Sequence, residues 1–140
     1  MLTVPMAQWK RLTEFVVRLP HQAGELARLS AQLRGAHVGI IAFFGPTEGR
    51  AADGFHIVPE DPERFRAFAA EHGLGTWEEP VFHLTDALRD GDLVARLDSI
   101  AGAGINIEFA SGMAEGGQFG LLIWVDDDDV ERLAKHLGVA

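Results

Sequence analysis

The sequence predicts an α+β fold made of two βαββαβ repeats, each an antiparallel sheet with its helices on one face. Three observations carry that expectation. The chain repeats itself: an offset of 67 positions, the distance from Gly24 to Gly91, lays Gly24-Glu25-Leu26 on Gly91-Asp92-Leu93. The same offset lays Gly35, Val38, Ile40 and Gly45 on Gly102, Ile105, Ile107 and Gly112. With the offset reduced to 65, Phe65, Phe68, Ala69 and Gly73 fall on Val130, Leu133, Ala134 and Gly138. Self-similarity at a fixed period means one structural unit used twice. Strand-like and helix-like stretches then alternate in the same order in both copies. Finally, 140 residues with 47% hydrophobic content can bury one ordinary core or two small ones that share an interface.

Taken in order, residues 1–10 lack clear periodicity, with a short extended piece expected at Leu2-Thr3-Val4. Leu12 to Leu19 is rich in β-branched and aromatic residues, and Phe15, Val17 and Leu19 fall on one face of a strand. Pro20 ends it, and Ala23-Gly24 lets the backbone turn into a helix whose Leu26, Leu29 and Leu33 recur at helical spacing up to Gly35. His37 to Phe44 reads as a strand apolar on both faces, which needs cover on both sides. A turn at Gly45 to Gly49 and a strand at Asp53 to Val58 follow. Asp61-Pro62 is an N-cap followed by proline at the first helical position, and Phe65, Phe68 and Ala69 form the stripe of that helix up to Gly73.

Leu74 to Glu79 is expected to close the first copy, and Val81 to Leu84 to open the second. The domains are accordingly placed at 11–79 and 80–140. In the second copy a helix from about Asp92 to Ala101 points Leu93, Leu97 and Ile100 inward. Strands follow at Ile105 to Gly112 and Phe119 to Val125, then a helix carrying Val130, Leu133, Ala134 and Leu137. Gly138-Val139-Ala140 leaves no room for a closing strand, so the second sheet either lacks an edge or takes a strand from elsewhere, with Leu2 to Val4 the candidate.

Composition narrows the function classes. Lys and Arg total 12 against 21 Asp and Glu, a formal charge of -9 that repels phosphate backbones and anionic lipid, so no nucleic-acid or membrane partner is expected. Without cysteine there is no disulfide, thiolate metal site or cysteine nucleophile. The apolar run from Val38 to Phe44 is far shorter than the roughly 20 residues of a membrane span. The first ten residues show no secretory pattern, so a cytoplasmic location is expected. The six histidines form no His-x-His or His-x-x-x-His pair, and Asp126 to Asp129 lack the glycine and terminal glutamate of a calcium loop and suit helix capping. No phosphate-binding loop, nucleophile elbow or dinucleotide fingerprint occurs, and neither metal nor cofactor is expected.

A βαββαβ unit is the ferredoxin-like arrangement, which hosts many functions. The junction Leu19-Pro20-His21-Gln22-Ala23-Gly24-Glu25-Leu26-Ala27-Arg28-Leu29 resembles the ACT-domain pattern, in which a strand ends in an Asp-Arg-Pro-Gly-like turn before a Gly-x-Leu-x-x-Leu helix. Here His21, Gln22 and Ala23 stand for Asp, Arg and Pro. Gly102-Ala103-Gly104-Ile105-Asn106-Ile107-Glu108 is similar to the family's Gly-Ile-Asn-Ile step into the second strand. The resemblance covers about residues 11–140. It implies a regulatory module that binds an amino acid or other small effector, commonly where two such domains pack together.

By that resemblance the ligand-binding candidates are His21, Gln22, Ala23, Gly24, Glu25 and Leu26 in the first copy. In the second they are Leu88, Arg89, Asp90, Gly91, Asp92 and Leu93, with Asn106 and Ile107. Elementary chemistry agrees: free N–H groups at a helix start suit a carboxylate, glycine lets a ligand approach the backbone, and asparagine offers a donor and an acceptor. Each residue also has a plainer account, Gly24 and Gly91 as backbone turns and Asn106 as a turn residue.

The expected protein is thus a non-catalytic tandem effector-binding regulator, a homodimer with a possible metabolic enzyme partner. One alternative is a regulatory subunit of an amino-acid biosynthetic enzyme such as acetolactate synthase. Another is a small enzyme on the same scaffold, using His21 or His83 with Glu14 or Asp86 as an acid-base pair.

Overall fold

The alternation around Phe15 and Val17 forms β1 (Gln8–Val17), which begins well before Leu12 and ends before Pro20. The computed structural model describes residues 8–20, 22–47, 54–87 and 92–140. Leu2-Thr3-Val4, His21, Leu88, Arg89, Asp90 and Gly91, and Glu48-Gly49 of the expected turn, lie outside the described residues. After β1 come α1 (Glu25–Gly35), β2 (Ile40–Thr47), β3 (Gly54–Pro59) and α2 (Pro62–Glu71). Then follow β4 (Thr76–Ala87), α3 (Asp92–Gly102), β5 (Ile107–Glu115), β6 (Gln118–Val125) and α4 (Val130–Leu137). The chain is therefore α+β, with four α-helices and six strands among the described residues.

Several boundaries differ from the sequence-based expectation, each for a local reason. The strand expected from His37 starts at Ile40, because His37 adopts a left-handed φ of 56°. The Val38 N–H also turns back to the Leu33 carbonyl at 3.0 Å, closing the end of α1. In the same way β5 starts at Ile107 and not Ile105: Gly104 has φ 76°, and the Ile105 N–H donates to the Ile100 carbonyl at 3.4 Å. The two strands expected on either side of Pro80 are one strand, β4. Its pairing with β6 covers Phe82 to Ala87, so the N–H that Pro80 lacks is not needed in that ladder. The start of α2 is as the sequence predicts, with Asp61 Oδ1 accepting from the backbone N–H groups of Glu63 at 3.0 Å and Arg64 at 3.3 Å.

The chain divides into two units, one of Thr13–Glu79 and one that joins the N-terminal stretch through Leu12 to Pro80–Ala140. Within the first, the strand order is β2-β3-β1-β4, with β1 and β2 antiparallel to β3. Phe15, Val17 and Ile57 of this sheet meet Leu29 and Leu33 of α1 and Phe65 and Phe68 of α2, and the Phe15 and Phe65 rings lie 4.4 Å apart. Aromatic contact of this kind, added to the area buried, makes these positions costly to truncate.

Within the second unit the order is β1-β4-β6-β5, with β6 antiparallel to both β4 and β5. Phe82, Leu84, Leu121 and Ile123 pack against Ile100 of α3 and Leu133 of α4. Trp9 of β1 packs on this core, and Arg11 reaches Glu131 of α4 at 3.0 Å. The N-terminal half of β1 thus belongs to the same unit as Pro80–Ala140.

Two burial expectations fail. Leu93 is 38% exposed, because it sits in the first turn of α3 ahead of the core contacts made by Leu97 and Ile100. β2 is not covered on both faces: Ile41 and Phe43 stand open, Phe43 at 57% exposure. Its register shifts between Ile40 and Ala42, and again between Phe44 and Thr47. A bulge resets the alternation of side chains, so Phe43 lies opposite Ile57 while Phe44 lies opposite His56.

Candidate functional site

The β1–α1 turn is built by backbone geometry. The Gln22 N–H donates to the Pro20 carbonyl at 2.8 Å, and the Glu25 N–H to the Gln22 carbonyl at 3.4 Å. Gly24 caps α1 at φ 90° and ψ -10°, without a side-chain cap. That conformation favours glycine, and a side chain there would meet none of the described residues within 4 Å. Gly24 is therefore required as a backbone turn. Gln22 and Ala23 are exposed, Glu25 and Leu26 half-buried.

In the other unit Asp92 opens α3, with Leu93 in its first turn. Asn106 is exposed after the far end of that helix, and Ile107 is half-buried against the core. α3 has 11 residues. At a rise of about 1.5 Å per residue the helix is roughly 16 Å long. Within one unit, then, the start of α3 and the Asn106-Ile107 pair stand at opposite ends of the helix, and the structure does not bring them together.

Among the described residues, Glu14 and Asp86 bond to groups other than His83. Buried Glu14 holds the buried His56 imidazole through its Oε1, and His56 stacks on Phe44 with ring centroids 4.5 Å apart. Asp86 accepts from the Ala87 N–H at 2.8 Å and from Arg96 of α3 at 3.2 Å. His83 lies three residues before Asp86 on the same strand, so the two project to opposite faces of the sheet. Burial, reinforced by the Lys10 charge, holds the His83 pKa below the usual histidine value. His21 lies outside the described residues.

A cleft that the sequence reading did not assign opens between α1 and the β2–β3 pair, with a volume of about 360 Å³. Buried Leu29, Leu33, Val38 and Ile57 form its floor, and Leu26, Ile40, Phe43 and Phe55 its walls. Ser30 and Arg34 are its polar lining, four residues apart and so on one face of α1. The bulge in β2 places both Ile40 and Phe43 here, three residues apart, where regular alternation would separate them. Among the described residues proposed from the sequence only Leu26 lines the cleft. The available signal is the leucine stripe of α1, of which the sequence assigns only Leu26 to a ligand; a pairing register cannot be read from one strand.

No sequence family matches the chain, and no curated protein resembles it in sequence. Solved structures do match. A protein from Bacteroides thetaiotaomicron aligns with a TM-score of 0.64 at 16% identity, over 93% of this chain and 88% of that one. The regulatory subunit of aspartate kinase from Thermus flavus aligns at 0.55 and 14% identity, over 96% of both chains. A chain of aspartokinase alpha and beta subunits aligns at 0.59 and 15% identity, over 97% of this chain and 99% of that one. The fold is thus the ACT-like fold of aspartate kinase regulatory domains. No helix among the described residues is long and apolar enough to cross a membrane.

Proposed function

We propose that this chain is a non-catalytic regulatory protein made of two ACT-like repeats, which binds an amino acid at its strand-to-helix turns. The observation that carries the reading is the near full-length fold correspondence with a chain that is itself a regulatory subunit. The repeat reading is supported by matched backbone detail. His37 and Gly104, 67 positions apart, both have left-handed φ, and each is followed by an N–H bond back to a residue five earlier, Leu33 or Ile100. Gly73 and Gly138, 65 apart, do the same, through Leu74 to Ala69 and Val139 to Ala134. Phe15 and Phe82, Val17 and Leu84, and Ala69 and Ala134 are buried at equivalent positions.

The separation of Leu93 from Asn106 supports a homodimer in which a turn of one copy meets the Asn106-Ile107 step of another. Such a regulator would pass occupancy to a metabolic enzyme or to its own assembly. The chemistry at each turn is carboxylate recognition by backbone N–H groups at a helix start. A ligand at about 100 times its Kd stabilises the folded state by about 2.7 kcal/mol. At roughly 2 to 4 °C per kcal/mol, one of the twenty common amino acids should raise Tm by about 5 to 10 °C at millimolar concentration. Asn106→Ala should reduce that shift, and the protein should sediment as a dimer. A panel in which no amino acid moves Tm contradicts the effector class; a clean monomer at high concentration contradicts the dimer.

Gly24→Val is a poor probe of this site. Its side chain would meet none of the described residues within 4 Å, so it would strain a left-handed backbone before it touched a ligand. Gln22→Ala is the better variant, since Gln22 is exposed and shapes the turn only through its backbone.

A further inference from the structure

We propose that the cleft between α1 and the β2–β3 pair is a second ligand site, one that takes a small apolar monocarboxylate lacking an ammonium group. The site goes beyond the amino-acid reading, and among the described residues only Leu26 is common to both. Its volume of about 360 Å³ falls within the range of about 300 to 1,000 Å³ typical of small-molecule pockets. Its walls are leucine, isoleucine, valine and phenylalanine, so the body of the ligand must be hydrocarbon.

The charge of the lining then selects the head group. Arg34 is exposed at the cleft and forms no ion pair among the described residues, in a chain where 21 Asp and Glu outnumber 12 Lys and Arg. A planar guanidinium with five N–H donors matches a carboxylate. Ser30, one helical turn earlier on the same face, adds a hydroxyl donor. Among the described residues no Asp or Glu lines the cleft, so an α-ammonium group would enter an apolar space without a counter-charge. The cleft should therefore prefer a simple carboxylic acid to the amino acid of the same skeleton. Phe43, at 57% exposure, would be partly covered by the bound hydrocarbon.

The matched pair 3-phenylpropionate and phenylalanine tests this directly, because the two differ only in the ammonium group. Titration calorimetry on the full chain should show 3-phenylpropionate binding at least tenfold more tightly than phenylalanine. Arg34→Met keeps the aliphatic stem and removes the charge, and should weaken 3-phenylpropionate binding by about tenfold or more, the usual weight of a charged hydrogen bond. Leu26→Trp, which fills one wall of the cleft, should also block it. Arg34 is exposed and Leu26 half-buried, so neither change removes core; unchanged circular dichroism checks the fold of each variant. No binding of 3-phenylpropionate, equal binding of phenylalanine, or full binding to a folded Arg34→Met protein would each overturn the proposal. An amino acid that raises Tm of the Arg34→Met variant as it does the unmodified chain would show that the turn site stands apart from the cleft.

Discussion

A chain that begins at Leu12 should lose the fold of its Pro80–Ala140 portion. The deleted residues supply β1 beside β4 in that unit, and Trp9 lies against its core. Burying a large apolar side chain is worth about 1.5 to 3 kcal/mol. Each ladder hydrogen bond contributes about 0.5 to 1.5 kcal/mol net, and an edge strand makes several. The Arg11–Glu131 pair matters least, because Glu131 is 81% exposed at its side chain and surface pairs are worth about 0 to 1 kcal/mol. The sum is comparable with the roughly 5 to 15 kcal/mol that holds a whole domain together. Deletion of Met1 to Arg11 should therefore collapse the amide dispersion of Ile107 to Leu137 in a proton–nitrogen NMR spectrum. Trp9 is half-buried, so Trp9→Ala alone should lower stability by only part of the full-burial value, about 1 to 2 kcal/mol. A deletion variant with an unchanged melting curve would remove β1 from any role in that unit.

The second large effect is expected at Glu14 and His56. Both are almost wholly buried, at 0% and 1% exposure, and bonded to each other through Glu14 Oε1 and His56 Nδ1. Replacing one member of a buried pair costs about 3 to 5 kcal/mol, whereas replacing both with apolar residues of similar volume is often neutral. Glu14→Leu should therefore lower Tm by roughly 6 to 20 °C, and Glu14→Leu with His56→Leu should recover most of the loss. The stacking of His56 on Phe44 is kept in the single variant, so the loss would report the carboxylate contact. A double variant no more stable than Glu14→Leu alone would mean that the pair does not act as a unit.

What the sequence made legible is what is decided locally. Asp61-Pro62 starts α2 as expected because the cap is made by the carboxylate of Asp61 and backbone groups two and three residues on. The proposed repeat rests on core positions that accept only apolar side chains, and Phe15 with Phe82 and Ala69 with Ala134 are buried alike.

What depends on distant residues was not legible. Gln8-Trp9-Lys10-Arg11 does not alternate in polarity, so it does not read as a strand, yet it forms the first half of β1. The sequence places His37 in a strand, because only the Val38 to Leu33 bond shows that the helix end extends past it. The cleft depends on the shifted register of β2 against β3, which brings Ile40 and Phe43 under α1. Of the candidate turn, the backbone around Gly24 followed from the sequence, whereas the distance between Leu93 and Asn106 follows from the direction of α3.

The most direct test of the central claim is amide NMR mapping with the amino acid that gives the largest thermal shift. Titrated into the isotopically labelled protein, it should move the resonances of Gln22 to Leu26 and Leu88 to Leu93, with Asn106 and Ile107 following at the same ligand concentration. A titration that leaves both turns in place, or moves only residues remote from the starts of α1, α3 and β5, would contradict effector binding at the strand-to-helix turns.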